Sequence, residues 1–428
     1  MKKGLYILLL LALMLCVSIA LAEETYTCGD FKYALLENGD AELIAYTGNN
    51  ENVIIPNALD GHPIMAVREN PFFYFNSIDD YGIKNCTISV SVDHPYLATI
   101  NGVLFGQSDR KLISYFPSLP GQYEIPQGIW EIGDYSFAGC TDLTSVSIPD
   151  SVTNIYSGAF FGCSSLTSIT IPDSVTNIYS GAFFSCNSLT NVIIPDSVTS
   201  INSFVFHECS SLTSVIIPNS VTSIGYGAFD LCSKLASITI PDSVTSIDDS
   251  AFSYCSSLTS VAIPDSVTSI GRNAFSNCSS LISITIPKNV TSISNSTFDG
   301  CSSLTSVTIP ASVTSIGDYA CFYCTSLTSV TIPDSVISIG DYAFSICTGL
   351  TSITIPDSVS SIGRSAFSVC SSLTSATIPN SVTSIGLSAF GGCIYLILTV
   401  SPGSYAESYC IENGLAYTIY GDNDSWLN

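Results

Sequence analysis

Apolar residues recur along most of this chain at one fixed spacing. In the stretch Leu327-Thr-Ser-Val-Thr-Ile-Pro, the apolar residues Val330 and Ile332 lie two apart, with Thr331 between them. That alternation predicts a short strand with one apolar face inward and Thr331 turned out. Pro333 ends the strand, and Asp334-Ser335 supply turn chemistry. Val336 and Ile339 then return to the interior. A short helical or 3-10 turn over residues 341–346 is expected to carry Phe344 inward before Cys347 closes the unit.

The same unit starts again at Leu350 and started before at Leu304. Proline recurs every 23 residues from Pro126 to Pro402, and cysteine keeps the same step from Cys140 to Cys393. Phenylalanine does so from Phe137 to Phe390, with Cys321 in the one slot that lacks it. A fixed period in the range 20–29 predicts a stacked solenoid rather than separate domains. One such unit is too small to bury its own apolar face, so each must cover its neighbour. Parallel strands about 4.8 Å apart follow from that stacking.

The pattern L-x-x-V-x-I is that of a leucine-rich-repeat strand, and it continues here as P-D-S-V-T-S-I-G-x-x-A-F-x-x-C. The chain resembles the BspA-like leucine-rich-repeat family of surface and secreted proteins. The resemblance implies a horseshoe of parallel strands, capped at both ends, and a role in adhesion to host matrix proteins, other cells or their glycans. The commonest leucine-rich repeats place Asn or Cys after the strand to form an internal ladder. Here that slot is Ser, as at Ser335, so the corner must be hydrogen-bonded differently.

The two ends depart from the period. Residues 1–22 read as a secretory signal: Lys2 and Lys3, an apolar run, then Ala20-Leu21-Ala22. Residues 23–125 are expected to hold hairpins and degenerate repeats, with turns at Asn38-Gly39 and around Ser108-Asp109. Pro56, Leu59, Val67 and Phe72 match the repeat's slots if about five residues are inserted near Asp60-Gly61. Regular repeats then occupy 126–393, and 394–428 form the C-terminal cap. In that cap Ser404 and Glu407 make a capping box, Asn413-Gly414 stop the helix, and Leu415 to Tyr420 supply a last strand that closes the protein.

Composition adds limits. The chain is 46% hydrophobic and only 11% charged, so its net charge of −24 belongs to a folded surface. Such a surface repels nucleic acid and anionic lipid and accepts cationic partners, neutral glycans or divalent cations. Beyond the signal no run of 18 apolar residues appears, so no membrane span is expected.

Candidate chemistry is sparse. The cysteine ladder is expected to be free thiols packed as small apolar groups, and Cys321-Phe-Tyr-Cys324 a core substitution rather than a redox pair. An Asp row after the prolines is broken by Asn219, Lys288, Ala311 and Asn380, which suits turn residues better than a calcium ladder. His62, His94 and His207 sit in no metal or triad pattern. No enzyme, cofactor or metal is expected. Surface is what remains. The outward middle position of each strand is Ser or Thr except at Ile193, Ile216 and Ala262, and Asn191 interrupts the companion Ser row. Asn191, Ile193, Ser214 and Ile216 therefore form the candidate binding spot, expected on the concave face, with natural drift of ordinary exposed aliphatics as the alternative. Tyr156, Tyr179, Phe204, Tyr226, Tyr319 and Tyr342, with Arg272 and Arg364, fall in variable rim slots and are expected to pack half-buried between rungs. The function expected is a secreted or cell-surface bacterial binding protein for an extracellular protein or glycan. A structural spacer without a tight ligand is the alternative.

Overall fold

The computed structural model describes residues 24–77 and 80–420, without the side chains of 75–77, 80 and 81. The expected signal segment lies outside the described residues. The chain divides between Ser220 and Val221 into two compact units.

The first unit opens on antiparallel strands. Thr25–Cys28, Phe31–Leu35 and Ala41–Tyr46 pair in sequence, the last two joined through Gly39 at φ 85°. His62–Val67 then joins Ala41–Tyr46 in parallel. The expected insertion is a small hairpin, Ala58–Leu59 against His62–Val67, with Asp60 and Gly61 at its tip. Leu59 and Phe72 are fully buried. The hairpin around Ser108-Asp109 is only half of what forms. Leu97–Ile100, Val103–Gly106 and Lys111–Ser114 make a three-stranded meander, and its first turn is Asn101-Gly102. Both residues of that turn have positive φ, which Asn and Gly tolerate best.

From Lys111–Ser114 onward pairing is parallel, and each rung contributes to two sheets. One runs from Lys111–Ser114 through Glu131–Ile132 and Asn154–Ile155 to Asn177–Ile178. The other holds Gln122–Glu124, Ser145–Ser147 and Ser168–Thr170, and Asn191–Ile193 pairs with Ser214–Ile216 in the same manner.

The second unit repeats this plan, with pairs such as Ser237–Thr239 with Ser260–Ala262 and Ser352–Thr354 with Ser375–Ile378. No strand forms at residues 329–331, although Val330 and Ile332 stay buried as expected. The helix Tyr405–Asn413 is capped by Ser404, whose hydroxyl accepts from the Glu407 N–H, and Gly414 ends it at φ 65°. Glu407 answers by accepting from the Gly403 N–H rather than from the cap residue itself. Tyr417–Ile419 pairs in parallel with Ile397–Val400 as the last strand.

The arc between strands corrects one expectation. It is not a helical or 3-10 turn but a run of tight turns with two left-handed residues per rung, such as Tyr342 at φ 56° and Ile346 at φ 61°. The reason lies in where the N–H groups go. Tyr342, Phe344 and Ile346 donate to Arg364, Ala366 and Ser368 of the next rung, while Ser345 and Cys347 donate back three residues. A helical turn would aim every N–H along its own axis and leave the rungs unjoined. Left-handed residues turn alternate peptide planes toward the neighbour instead.

Between the sheets the core is built of columns. Phe229, Phe252 and Phe275 stack at 5.4 and 5.3 Å, and Phe344, Phe367 and Phe390 at 5.4 Å. The cysteines are free thiols. In the ladder, cysteines such as Cys163, Cys255 and Cys370 donate to the carbonyl of the Phe slot one rung back, Cys255 Sγ to Phe229 O at 3.2 Å. The serine corner is hydrogen-bonded in the same way. Ser335 Oγ donates to Val313 O at 2.6 Å, and Ser243 Oγ to Val221 O at 2.6 Å. This ladder replaces the Asn or Cys ladder of commoner leucine-rich repeats.

Burial raises the thiols of Cys163, Cys255 and Cys278 far above the ordinary range. Of the sixteen cysteines among the described residues only Cys28 is partly exposed. Ellman's reagent should therefore titrate about one of these thiols in the native protein and the others only after denaturation; rapid native reaction of several would contradict the buried ladder. Phe252→Ala, which empties a fully buried slot, should lower stability by about 3–5 kcal/mol in urea denaturation. Val369→Gly has the opposite sign. Val369 sits at φ 60° and is 44% exposed. Relief of a left-handed cost of roughly 1–2 kcal/mol should exceed glycine's entropic cost of roughly 0.5–1 kcal/mol, so the variant should melt no lower than the parent.

Candidate functional site

In the first unit the outward face of the parallel sheet carries Glu124, Ser147, Thr170, Ile193 and Ile216 in consecutive rungs, all exposed. The pairing sets Asn191 opposite Ser214 and Ile193 opposite Ile216, so the four candidate residues form one contiguous spot. Strand alternation puts Val192 and Val215 behind them in the core. Ile193 is 63% exposed and Ile216 59%, where the rungs to either side present small hydroxyls or a methyl. Beside this row the hydroxyls of Thr167, Thr190 and Thr213 are committed to the backbone, each donating to the carbonyl one rung back at 3.0–3.3 Å. On the other side, after the prolines, Asp150, Asp173 and Asp196 are exposed.

The rim residues stack from rung to rung. Tyr156 and Tyr179 lie 4.9 Å apart and parallel within 1°, with Lys111 Nζ 4.9 Å above Tyr156 and the Tyr156 hydroxyl donating to Glu131. Tyr319 and Tyr342 stack at 4.8 Å, and the Arg364 guanidinium lies 5.9 Å above Tyr342. Phe204 is buried against His207. Tyr226 is half-buried.

One device escaped the sequence reading. At the slot that holds Arg272 and Arg364, preceding Asp and Asn side chains accept the next rung's N–H: Asp249 from Arg272 at 2.6 Å, Asp318 from Asp341 at 2.8 Å, Asp341 from Arg364 at 2.7 Å. Asp or Asn recurring 23 residues apart at this slot was the available signal. Lys288, an interruption of the Asp row, forms an ion pair of 2.7 Å with Asp265 one rung back.

His94 Nδ1 accepts from the N–H groups of Tyr96 and Leu97 and its Nε2 faces Pro56 O, while burial lowers its pKa. His62 meets Gly39 O, and His207 stacks on Phe184. Cys321 and Cys324 are buried. Among the described residues no group of three His, Cys, Asp or Glu side chains is arranged to hold a metal, and no helix is long and apolar enough to cross a membrane.

Partial burial pushes the Asp299 carboxyl up to about 6; Asp248 and Glu69, although exposed, are raised by the protein packed around their carboxyls, each with a smaller push from a neighbouring aspartate. These three groups therefore hold more protons in the folded chain than in the unfolded one over a window above the ordinary carboxyl value, which for Asp299 reaches about pH 6. Their contribution to stability is full below that window and falls as pH rises through it. Asp299→Asn should flatten part of this decline in denaturation curves taken from pH 4 to pH 7; an unchanged slope would show that Asp299 is better solvated than its burial implies.

The BspA type leucine-rich repeat region matches residues 121–236, 222–321 and 315–414, in six copies. A comparison with curated proteins finds no match. Among solved structures, a leucine-rich repeat protein from Bacteroides ovatus is 27% identical with a TM-score of 0.61, covering 92% of this chain and 99% of its own. A leucine rich cell surface protein from Faecalibacterium prausnitzii is 30% identical with a TM-score of 0.49, covering 91% and 98%. The pneumococcal vaccine antigen PcpA shares the fold at 15% identity and a TM-score of 0.50, covering 94% and 99%. With the family's repeat matched over more than half of its length, this chain belongs to the BspA-type leucine-rich-repeat proteins.

Proposed function

We propose that this is a non-catalytic binding protein of the bacterial cell surface or its surroundings, adhering to an extracellular protein or glycan through the outward face of the parallel sheet in its first unit. One observation carries the proposal. A face that carries Glu124, Ser147 and Thr170 on its preceding rungs presents two adjacent, well-exposed isoleucines in register. Burying the pair removes apolar surface from water, which the hydroxyl positions around it cannot do. Family membership and the signal-like opening support the extracellular setting.

A second reading is a structural spacer, favoured by the near identity of the units, since a dedicated binder would diversify this face more. The two are separated by incubating the purified chain with arrays of extracellular-matrix proteins and glycans, with and without calcium. Saturable binding to one class is expected. The double variant Ile193→Asp, Ile216→Asp should weaken it by about tenfold or more, since a central apolar contact contributes about 1–2 kcal/mol. A blank array from folded protein would favour the spacer.

A further inference from the structure

Three carboxylates follow the prolines on the rung of Ile193 and on the two rungs before it, while the rung of Ile216 carries Asn219 in that slot. Asp150, Asp173 and Asp196 each stand three residues beyond the outward residue of their strand, at Ser147, Thr170 and Ile193. Three residues span at most about 10 Å, so each carboxylate lies within that reach of the outward residue of its own rung. All three are exposed, and none is in an ion pair with another described residue. Stacked one rung apart, they repel one another at about 4.8 Å.

The second unit shows what this row accepts. There Lys288 takes the slot one rung after Asp265, and its ammonium sits 2.7 Å from that carboxylate with both side chains well exposed. The hydrogen bond from Lys288 holds the Asp265 carboxyl below its ordinary range. In the first unit the same row has carboxylates at three consecutive rungs and no lysine. A glycan gains less here: aliphatic isoleucines offer no flat ring for a sugar to stack on, and the adjacent threonine hydroxyls already serve the backbone.

We propose that the partner of this face is a protein segment carrying an apolar side chain that seats on Ile193 and Ile216, beside two or three Lys or Arg side chains that occupy at Asp150, Asp173 and Asp196 the place Lys288 holds at Asp265. The inference rests on the face being a binding surface and adds the chemistry of what it binds.

The test uses the purified chain and three fluorescein-labelled peptides of equal length. One carries three lysines and a Leu-Trp pair, one the lysines with Gly-Gly in place of that pair, and one three glutamates with the Leu-Trp pair. Fluorescence anisotropy is read at low salt and again at about 300 mM NaCl, where screening is short-ranged. The lysine and Leu-Trp peptide alone should bind saturably, and salt should weaken it. Asp150→Asn, Asp173→Asn and Asp196→Asn together should weaken it about tenfold, and Ile193→Ser with Ile216→Ser comparably. Asp334→Asn with Asp357→Asn, in the same row of the second unit, should leave it unchanged. All these sites are exposed, and a thermal melt of each variant confirms folding. Equal binding of the glutamate peptide, binding unaffected by the three Asn substitutions, or no saturable binding overturns the cationic partner. If the isoleucine variants lose matrix or glycan binding that the Asn variants keep, the binding face stands and only the partner's chemistry falls. If neither set has any effect on a ligand that does bind, both fall.

Discussion

A carbonyl exposed by one rung is met by a donor 22 to 26 residues away on a neighbouring rung, and the rest of the structure depends on that exchange. Serine hydroxyls serve the corner, threonine hydroxyls the flanks of the strands, thiols the interior of the arc, and backbone N–H groups the space between. A buried carbonyl without a donor is costly, and an isolated rung would have many. Stacking brings donors to them in one register. A slip by one residue would turn every apolar side chain outward and misplace each of these donors together.

The same demand explains the strained edge. Joining rungs through the arc requires peptide planes that alternate in direction, and two left-handed residues per rung supply that alternation. Gly158 and Gly162 fill the two positions in one rung, yet Tyr342 and Ile346 fill them in another. The backbone conformation is thus imposed by the ladder rather than by residue preference. The packed columns of phenylalanine and cysteine on the inner side of the arc hold it there.

Much of this was legible because it repeats. Proline, phenylalanine and cysteine at one step gave the rungs, and Ser404, Glu407 and Gly414 gave the capping helix. Free thiols followed from parallel neighbours whose side chains point the same way. The left-handed turns were hidden, because tyrosine, serine, isoleucine and valine dilute the glycine signal that normally marks positive φ. The Asn101-Gly102 turn was passed over beside the more conspicuous Ser108-Asp109. Residues 329–331 have the expected pattern but lack the ladder; they follow directly on the rung that carries Cys321 in place of phenylalanine. At the candidate spot, the exposure of Ile193 and Ile216 followed from alternation alone. The ion pair between Lys288 and Asp265 did not, because it depends on which side chains one rung can hand to the next.

The serine corner has a consequence for how such a chain changes length. Because Ser335 reaches back to Val313 as Ser243 reaches back to Val221, with one offset throughout, the contacts of a rung refer only to its neighbour and never to its place in the series. Removal or duplication of 23 residues at any phase within such a run brings together two ends that already match, donor to acceptor and ring to ring. Copying errors between near-identical stretches of a gene then produce longer or shorter proteins that need no new interactions to fold. The near identity that makes the surface monotonous is also what makes the array extensible, and two isoleucines in neighbouring units are the kind of mark such duplication leaves behind.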